Sequence, residues 1–161
     1  MSGAGRPATT DGDLAGMAGL KVALVTASWH ADLCDRLRER ALAAVAQVQA
    51  EVVWDVRVPG ALELPVVAQA CARSGRVDAV VVLGAVIRGG TPHFDYVCST
   101  VSHGVGQVAL GTAVPVANGV LTCDTYEQAH ARSGFDGSAE DKGFDATMAA
   151  LATAVTLRTL G

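Results

Sequence analysis

Apolar positions along this chain fall into two alternating rhythms. Short runs of consecutive Val, Ala and Leu are followed by segments in which apolar residues recur every three or four positions. Lys21 to Thr26 is a β-branched-rich run that reads as a buried strand, closed by Ala27-Ser28-Trp29-His30. A helix follows, with Leu33, Leu37, Ala41, Ala44, Val45 and Val48 on one face. Glu51 to Val58 alternates into a second strand, stopped by Pro59-Gly60. Leu62 to Ala72 fits a helix with Pro65 in its first turn. Asp78 to Ile87 is apolar on both faces, as a central parallel strand should be. From Pro92 a helix carries Val97, Val101, Val105 and Val108 on one stripe. Gly104 and Gly106 are unfavourable within it, which points to close packing against another element, in this chain or in a second subunit.

Val114 to Thr122 reads as a fourth strand interrupted at Asn118-Gly119, Thr125 to Arg132 as a short helix, and Gly134 to Gly137 as a loop. Ser138, with Asp141 three residues on, predicts a capping box that opens a last helix. The stripe of that helix is Phe144, Met148, Leu151 and Val155. Residues 1–18 lack a period and read as a flexible tail, and 19–161 as a single domain. Strand and helix alternate with short connections. The expected fold is α/β, a three-layer, flavodoxin-like sandwich of a four-stranded parallel sheet with helices on both faces. Such sheets bind ligands outside the carboxyl ends of their strands. Ser28 and Trp29 follow strand one, Gly60 to Glu63 strand two, and Gly89 to His93 strand three, while Asn118 lies in strand four. Four strands are thus expected to feed one crevice.

Composition narrows the chemistry. Only 17% of residues are charged and 4% aromatic, so Ala, Val and Leu must build the core. So low a charge suggests that part of the surface is covered by other subunits. A net charge of −4 with no basic run argues against nucleic-acid binding, and any anionic ligand must find its positive charge locally. Cys34, Cys71, Cys98 and Cys123 form no Cys-x-x-Cys pair, and no histidine stands at ligand spacing from a cysteine or another histidine. No metal is expected, and the thiols read as reduced. The N-terminus lacks a signal-peptide pattern and no apolar stretch suits a membrane span, so a cytoplasmic protein is expected.

The densest chemistry lies between Val86 and Tyr96. An apolar strand ends in Gly89-Gly90, and Thr91-Pro92 then opens a helix, Thr91 as N-cap and Pro92 as first helical residue. Glycines let a ligand approach the backbone, and the free amides of the first helical turn seat an anion. His93 falls in that turn, where the helix dipole favours the neutral imidazole that a general base needs. The stretch is neither a Walker loop nor a dinucleotide fingerprint. It could also be a well-capped helix and nothing more. Trp29 either fills the core or stacks on a planar ring; Glu63 either favours a helix N-terminus or binds a ligand. Arg132 and Lys142 are either solvated or supply the missing positive charge.

In order along the chain stand Ser28-Trp29-His30, Gly60-Ala61-Leu62-Glu63-Leu64-Pro65, Gly84 to Tyr96, Pro115 to Thr122 and Asp141-Lys142-Gly143. Over roughly residues 19–158 this set closely resembles the 6,7-dimethyl-8-ribityllumazine synthase family of riboflavin biosynthesis. The resemblance implies condensation of 5-amino-6-(D-ribitylamino)uracil with 3,4-dihydroxy-2-butanone 4-phosphate, releasing phosphate and water, with no cofactor or metal. It implies that Trp29 stacks on the pyrimidine, that Ala61, Leu62 and Glu63 line the ribityl chain, and that Val86, Ile87 and Asn118 hold the pyrimidine edge. Gly89, Gly90 and Thr91 would cradle the phosphate, Arg132 and Lys142 would complete its seat, and His93 would carry protons. Only a backbone role is expected of Gly90. The resemblance further implies homopentamers with active sites between subunits, or a 60-subunit shell of twelve pentamers. The long stretch Phe135-Asp136-Gly137-Ser138-Ala139-Glu140 between Arg132 and Lys142 favours a free pentamer. A non-catalytic flavin or lumazine carrier, a structural shell protein and a riboflavin synthase of this fold are the other readings.

Overall fold

The computed structural model describes Gly5 and residues 14–161. Four parallel strands stand in the order β2-β1-β3-β4: β1 (Lys21–Ala27), β2 (Glu51–Val58), β3 (Ala79–Ile87) and β4 (Val116–Cys123). Helices α1 (Ala31–Gln47) and α5 (Lys142–Leu160) cover one face. Helices α2 (Leu64–Arg73) and α3 (His93–Thr112) cover the other, and a short α4 (Tyr126–His130) follows β4. Side chains along a strand alternate between the two layers. Val22, Leu24, Val81 and Leu83 face α1 and α5, whereas Ala23, Val25, Val80 and Val82 face α2 and α3. The unbroken apolar runs of β1 and β3 are therefore read by two cores at once. Each such Val or Leu withdrawn from water contributes about 1.5–3 kcal/mol. The expected flavodoxin-like sandwich is the observed one.

Close approaches account for two local departures and for one expected contact. The sequence predicts a break in the fourth strand at Asn118-Gly119, but β4 runs through both. Gly119 is there because a Cβ would lie 2.7 Å from Leu83 Cδ2 and 2.9 Å from the Val82 carbonyl oxygen. The buried face of α5 is Gly143, Thr147, Ala150, Leu151 and Ala154, not the stripe of Phe144, Met148, Leu151 and Val155. At Gly143 a Cβ would stand 2.2 Å from the Leu37 carbonyl oxygen, so small residues set the face where α5 meets α1. Phe144, Met148 and Val155 flank it, half-buried. Gly104 packs on Pro65, within the chain, with a virtual Cβ 2.9 Å from that ring, while Gly106 has nothing within 4 Å.

Helix starts differ by small steps. The helix after β3 begins at His93, one residue later than expected, and Thr91 Oγ1 accepts the His93 N–H at 3.4 Å. Helix α5 is capped by Asp141, whose Oδ1 accepts the Phe144 N–H at 3.3 Å, rather than by Ser138. Asp141 is held in an antiparallel bridge with Ser133, so the helix cannot begin before it. Ser138 instead donates its hydroxyl to the His130 carbonyl at 3.0 Å. Of the expected tail, residues 1–4 and 6–13 lie outside the described residues. Its end is packed: Met17 is 1% exposed and joins Leu20 and Leu24 in the core between sheet and α1. One methionine in a Gly/Ala-rich stretch has no period to announce it.

The four cysteines are free, and burial pushes every thiol up, Cys34 to about 11. Two outcomes follow from this packing. Gly143→Ala must push α5 off α1 and should cost about 3 kcal/mol in urea unfolding; an unchanged midpoint would refute the backbone contact. Iodoacetamide at pH 8 should leave Cys34 unlabelled until denaturant is added, because a thiol titrating near 11 stays protonated there. Labelling in the folded protein would contradict its burial.

Candidate active site

Parallel pairing delivers the exits of β1, β2 and β3 to one edge, with Ala27 beside Val58 and Thr26 beside Leu83. Ser28 Oγ donates to the Val58 carbonyl at 2.8 Å, fastening the first two exits together. Trp29 is 70% exposed, which sets aside its reading as core filler. Two features hold it there. His30, the N-cap of α1, turns the chain through a left-handed conformation (φ 53°), and Cys34 Sγ donates to the Trp29 carbonyl at 3.0 Å. The indole lies against the loop after β2: a Cβ on Gly60 would be 3.4 Å from Trp29 Cδ1. In that loop Ala61–Glu63 form a single 3-10 turn, and Glu63 Oε2 accepts the Gly60 N–H at 2.9 Å. Leu62 projects outward, 44% exposed. Trp29, Ala61, Leu62 and Glu63 thus form one rim.

The exit of β3 supplies the second group. Val86 and Ile87 are half-buried, whereas Gly89, Gly90, Thr91 and His93 are all exposed. Nothing lies within 4 Å of a virtual Cβ at Gly89 or Gly90, so these peptides are open to a ligand. Arg88, which nothing in the sequence singled out, organises this corner. Its backbone N–H donates to the Cys123 carbonyl at 2.9 Å. Its guanidinium bonds Asp124 at 2.7 Å, pairs with Asp95 at 3.3 Å and sits 4.3 Å over the Phe94 ring. Asp124 and then Asp95 raise its already high pKa. One side chain joins β3, β4 and the first turn of α3. Only its place between the strand and the glycines could have announced it.

Arg132 and Lys142 form a third group, on a small hairpin after α4. Lys142 donates its N–H to the Arg132 carbonyl at 3.0 Å, and Ser133 bridges Asp141. Between the two cations sits Glu140, its side chain only 10% exposed, 2.7 Å from Lys142 Nζ and 3.8 Å from Arg132 Nε. Glu140 was not separable in sequence from Asp136 and Asp141, its acidic neighbours in the same loop. Asn118 departs from the expected crevice. It pairs with Val82, five residues short of Ile87, or about 16 Å down the strand. It lies exposed on the open edge of β4, its Oδ1 accepting the Val120 N–H at 3.0 Å. The exit of β4 does reach that edge, where Cys123 pairs with Ile87, but Asn118 lies well before it.

The described residues hold no group of three or more His, Cys, Asp or Glu side chains arranged for a metal ion, and no helix long and apolar enough to cross a membrane. Residues 19–158 match the family model described as 6,7-dimethyl-8-ribityllumazine synthase. A protein of that name from Saccharopolyspora erythraea is 55% identical over 161 residues, covering 99% of this chain and 94% of its own. One from Thermobifida fusca is 55% identical with 99% and 91% covered, and one from Corynebacterium efficiens is 58% identical over 139 residues, 86% of each. With a fold, a rim and a match that run through the whole domain, the chain belongs to the 6,7-dimethyl-8-ribityllumazine synthase family.

Proposed function

We propose that the sites at which this chain condenses 5-amino-6-(D-ribitylamino)uracil with 3,4-dihydroxy-2-butanone 4-phosphate are shared between neighbouring copies of itself. The observation that carries this reading is the sequence of open groups at the β3 exit: bare peptides at Gly89-Gly90, then the helix N-terminus, then His93. An anion drawn to the amides of that turn lies beside an imidazole. Amine attack on the ketone gives an imine and releases water. Phosphate then leaves by elimination, and the ribityl-bearing nitrogen closes the ring with loss of a second water. Each step moves a proton, and His93 is the carrier. The nucleophile belongs to the substrate, so the chain supplies alignment more than activation. Holding two reactants in register is worth up to about 7–11 kcal/mol.

The exposed Trp29 indole supports stacking on the pyrimidine. The Ala61–Glu63 turn, with the Glu63 carboxylate at its mouth, supports binding of the ribityl hydroxyls. Backbone groups of Val86 and Ile87 take the pyrimidine edge. Gly89, Gly90 and Thr91 cradle the phosphate, with Arg132 and Lys142 as its charged partners. Asn118, on the open edge of β4, belongs in this reading with Arg132 and Lys142, to the crevice of the neighbouring copy. Exposed Trp29, Leu62, Val66 and Tyr96 are apolar surface that a second copy would cover. The assembly is a homopentamer, and the long loop before Lys142 favours the free ring over a shell. Free thiols at all four cysteines fit a cytoplasmic setting.

His93→Ala should lower turnover by about 10–100-fold while leaving it above the spontaneous rate; undiminished turnover at saturating substrates would remove His93 from the mechanism. Sharing of sites has its own test. Coexpressed His93→Ala and Arg132→Ala chains should be more active than either variant alone, and sedimentation should give five times the 16.4 kDa chain mass. A mixture no more active than its parts would confine the site to one chain.

A further inference from the structure

The hairpin after α4 sets two cations against each other. Ser133 pairs with Asp141 in antiparallel sense, which makes Arg132 and Lys142 directly opposite neighbours on one face. Like charges so placed repel. Glu140 is two residues from Lys142, on the same face and diagonal to Arg132. Its backbone is fixed at both ends: its N–H donates to the Ala131 carbonyl at 3.1 Å, and its carbonyl accepts the Gly134 N–H at 3.1 Å. Its Oε2 is sealed from solvent, with the Lys142 ammonium 2.7 Å away. A carboxylate in that position is costly unless a cation stays beside it. Arg132 is steadied from the other side, its Nη1 donating to the Gln128 carbonyl at 2.8 Å.

We infer that Glu140 is a positioning residue for the phosphate of the butanone substrate, holding Arg132 and Lys142 together on one hairpin face before that phosphate arrives. The inference rests on reading Arg132 and Lys142 as phosphate ligands. The carboxylate does for the empty site what the phosphate does for the filled one. It offsets the repulsion between the two cations and keeps two long side chains from dispersing. The cost of assembling the seat is then met in folding rather than in binding. Lys142 first, and Arg132 after it, hold the Glu140 carboxyl below the usual range, which favours the charged form of the clamp. Two cations against one carboxylate leave a net positive charge for the anion.

The test is steady-state kinetics on Glu140→Gln, which keeps the shape and removes the charge. Its KM for 3,4-dihydroxy-2-butanone 4-phosphate should rise about tenfold, with kcat and the KM for the ribitylamino-uracil within about twofold of the parent. Glu140→Asp, which keeps a carboxylate, should recover part of that loss, an effect that mere support of the fold would not give. An unchanged or lower KM in Glu140→Gln, alongside a raised KM in Arg132→Ala, would overturn the positioning role and make Glu140 a bystander or a competing charge. Unchanged KM values in Arg132→Ala and Lys142→Ala would overturn the phosphate reading itself, and this inference with it.

Discussion

Strand β3 is hydrogen-bonded on both edges, to β1 and β4, and covered by helices on both faces. That one constraint orders the rest. A strand so enclosed must be apolar throughout, and its first seven residues are buried. Its neighbours must run parallel to it and return through helices, so loops of one kind emerge together at the carboxyl edge. The Trp29 turn, the Gly60–Glu63 turn and the Gly89–His93 segment are adjacent for this reason, although each is far from the next along the chain. Where β3 leaves the sheet, Arg88 carries the order outward by tying it to β4 and to α3.

Charge is organised locally because the chain as a whole is acidic. Several arginines secure the framework: Arg38 on Asp55, Arg40 on Asp141, Arg57 on Asp35, and Arg158 on Asp78. Exposed pairs of this kind add little stability each. Their effect is to fix orientation; Arg40 holds the residue that caps α5, and Arg36 holds the Gly134 carbonyl at the tip of the hairpin. The hairpin that carries Arg132 and Lys142 is thereby held against α1. His130 stacks on Phe135 at 4.2 Å between ring centres, and Arg36 lies 5.5 Å over the Phe135 ring, which extends that support. Two cations with one nearly buried carboxylate then form a compact positive unit on a negative protein.

Much of this was legible in the sequence, for physical reasons that also mark where legibility ends. β1, β2 and β3 were readable within a residue or so because runs such as Ala79-Val80-Val81-Val82-Leu83 cannot be left in water. The Gly89–His93 segment was readable because strand, turn and helix start are all local. Gly119 misled because a strand glycine can mark either a break or a close approach, and Leu83 decides which. The face of α5 misled because the contact of Gly143 with Leu37 joins positions remote in the chain. The distance of Asn118 from the β3 exit was not legible because register is not written in a strand's own residues. Glu140 was hidden by the same cause: its importance comes from the pairing of Ser133 with Asp141, which only the folded chain displays.

The central claim is catalysis of lumazine formation at this rim. It is tested most directly by mixing the purified protein with 5-amino-6-(D-ribitylamino)uracil and 3,4-dihydroxy-2-butanone 4-phosphate and following the fluorescent product against the spontaneous reaction. The account predicts clear acceleration with saturation in both substrates. A rate equal to the spontaneous background, from a folded and assembled protein, would contradict it.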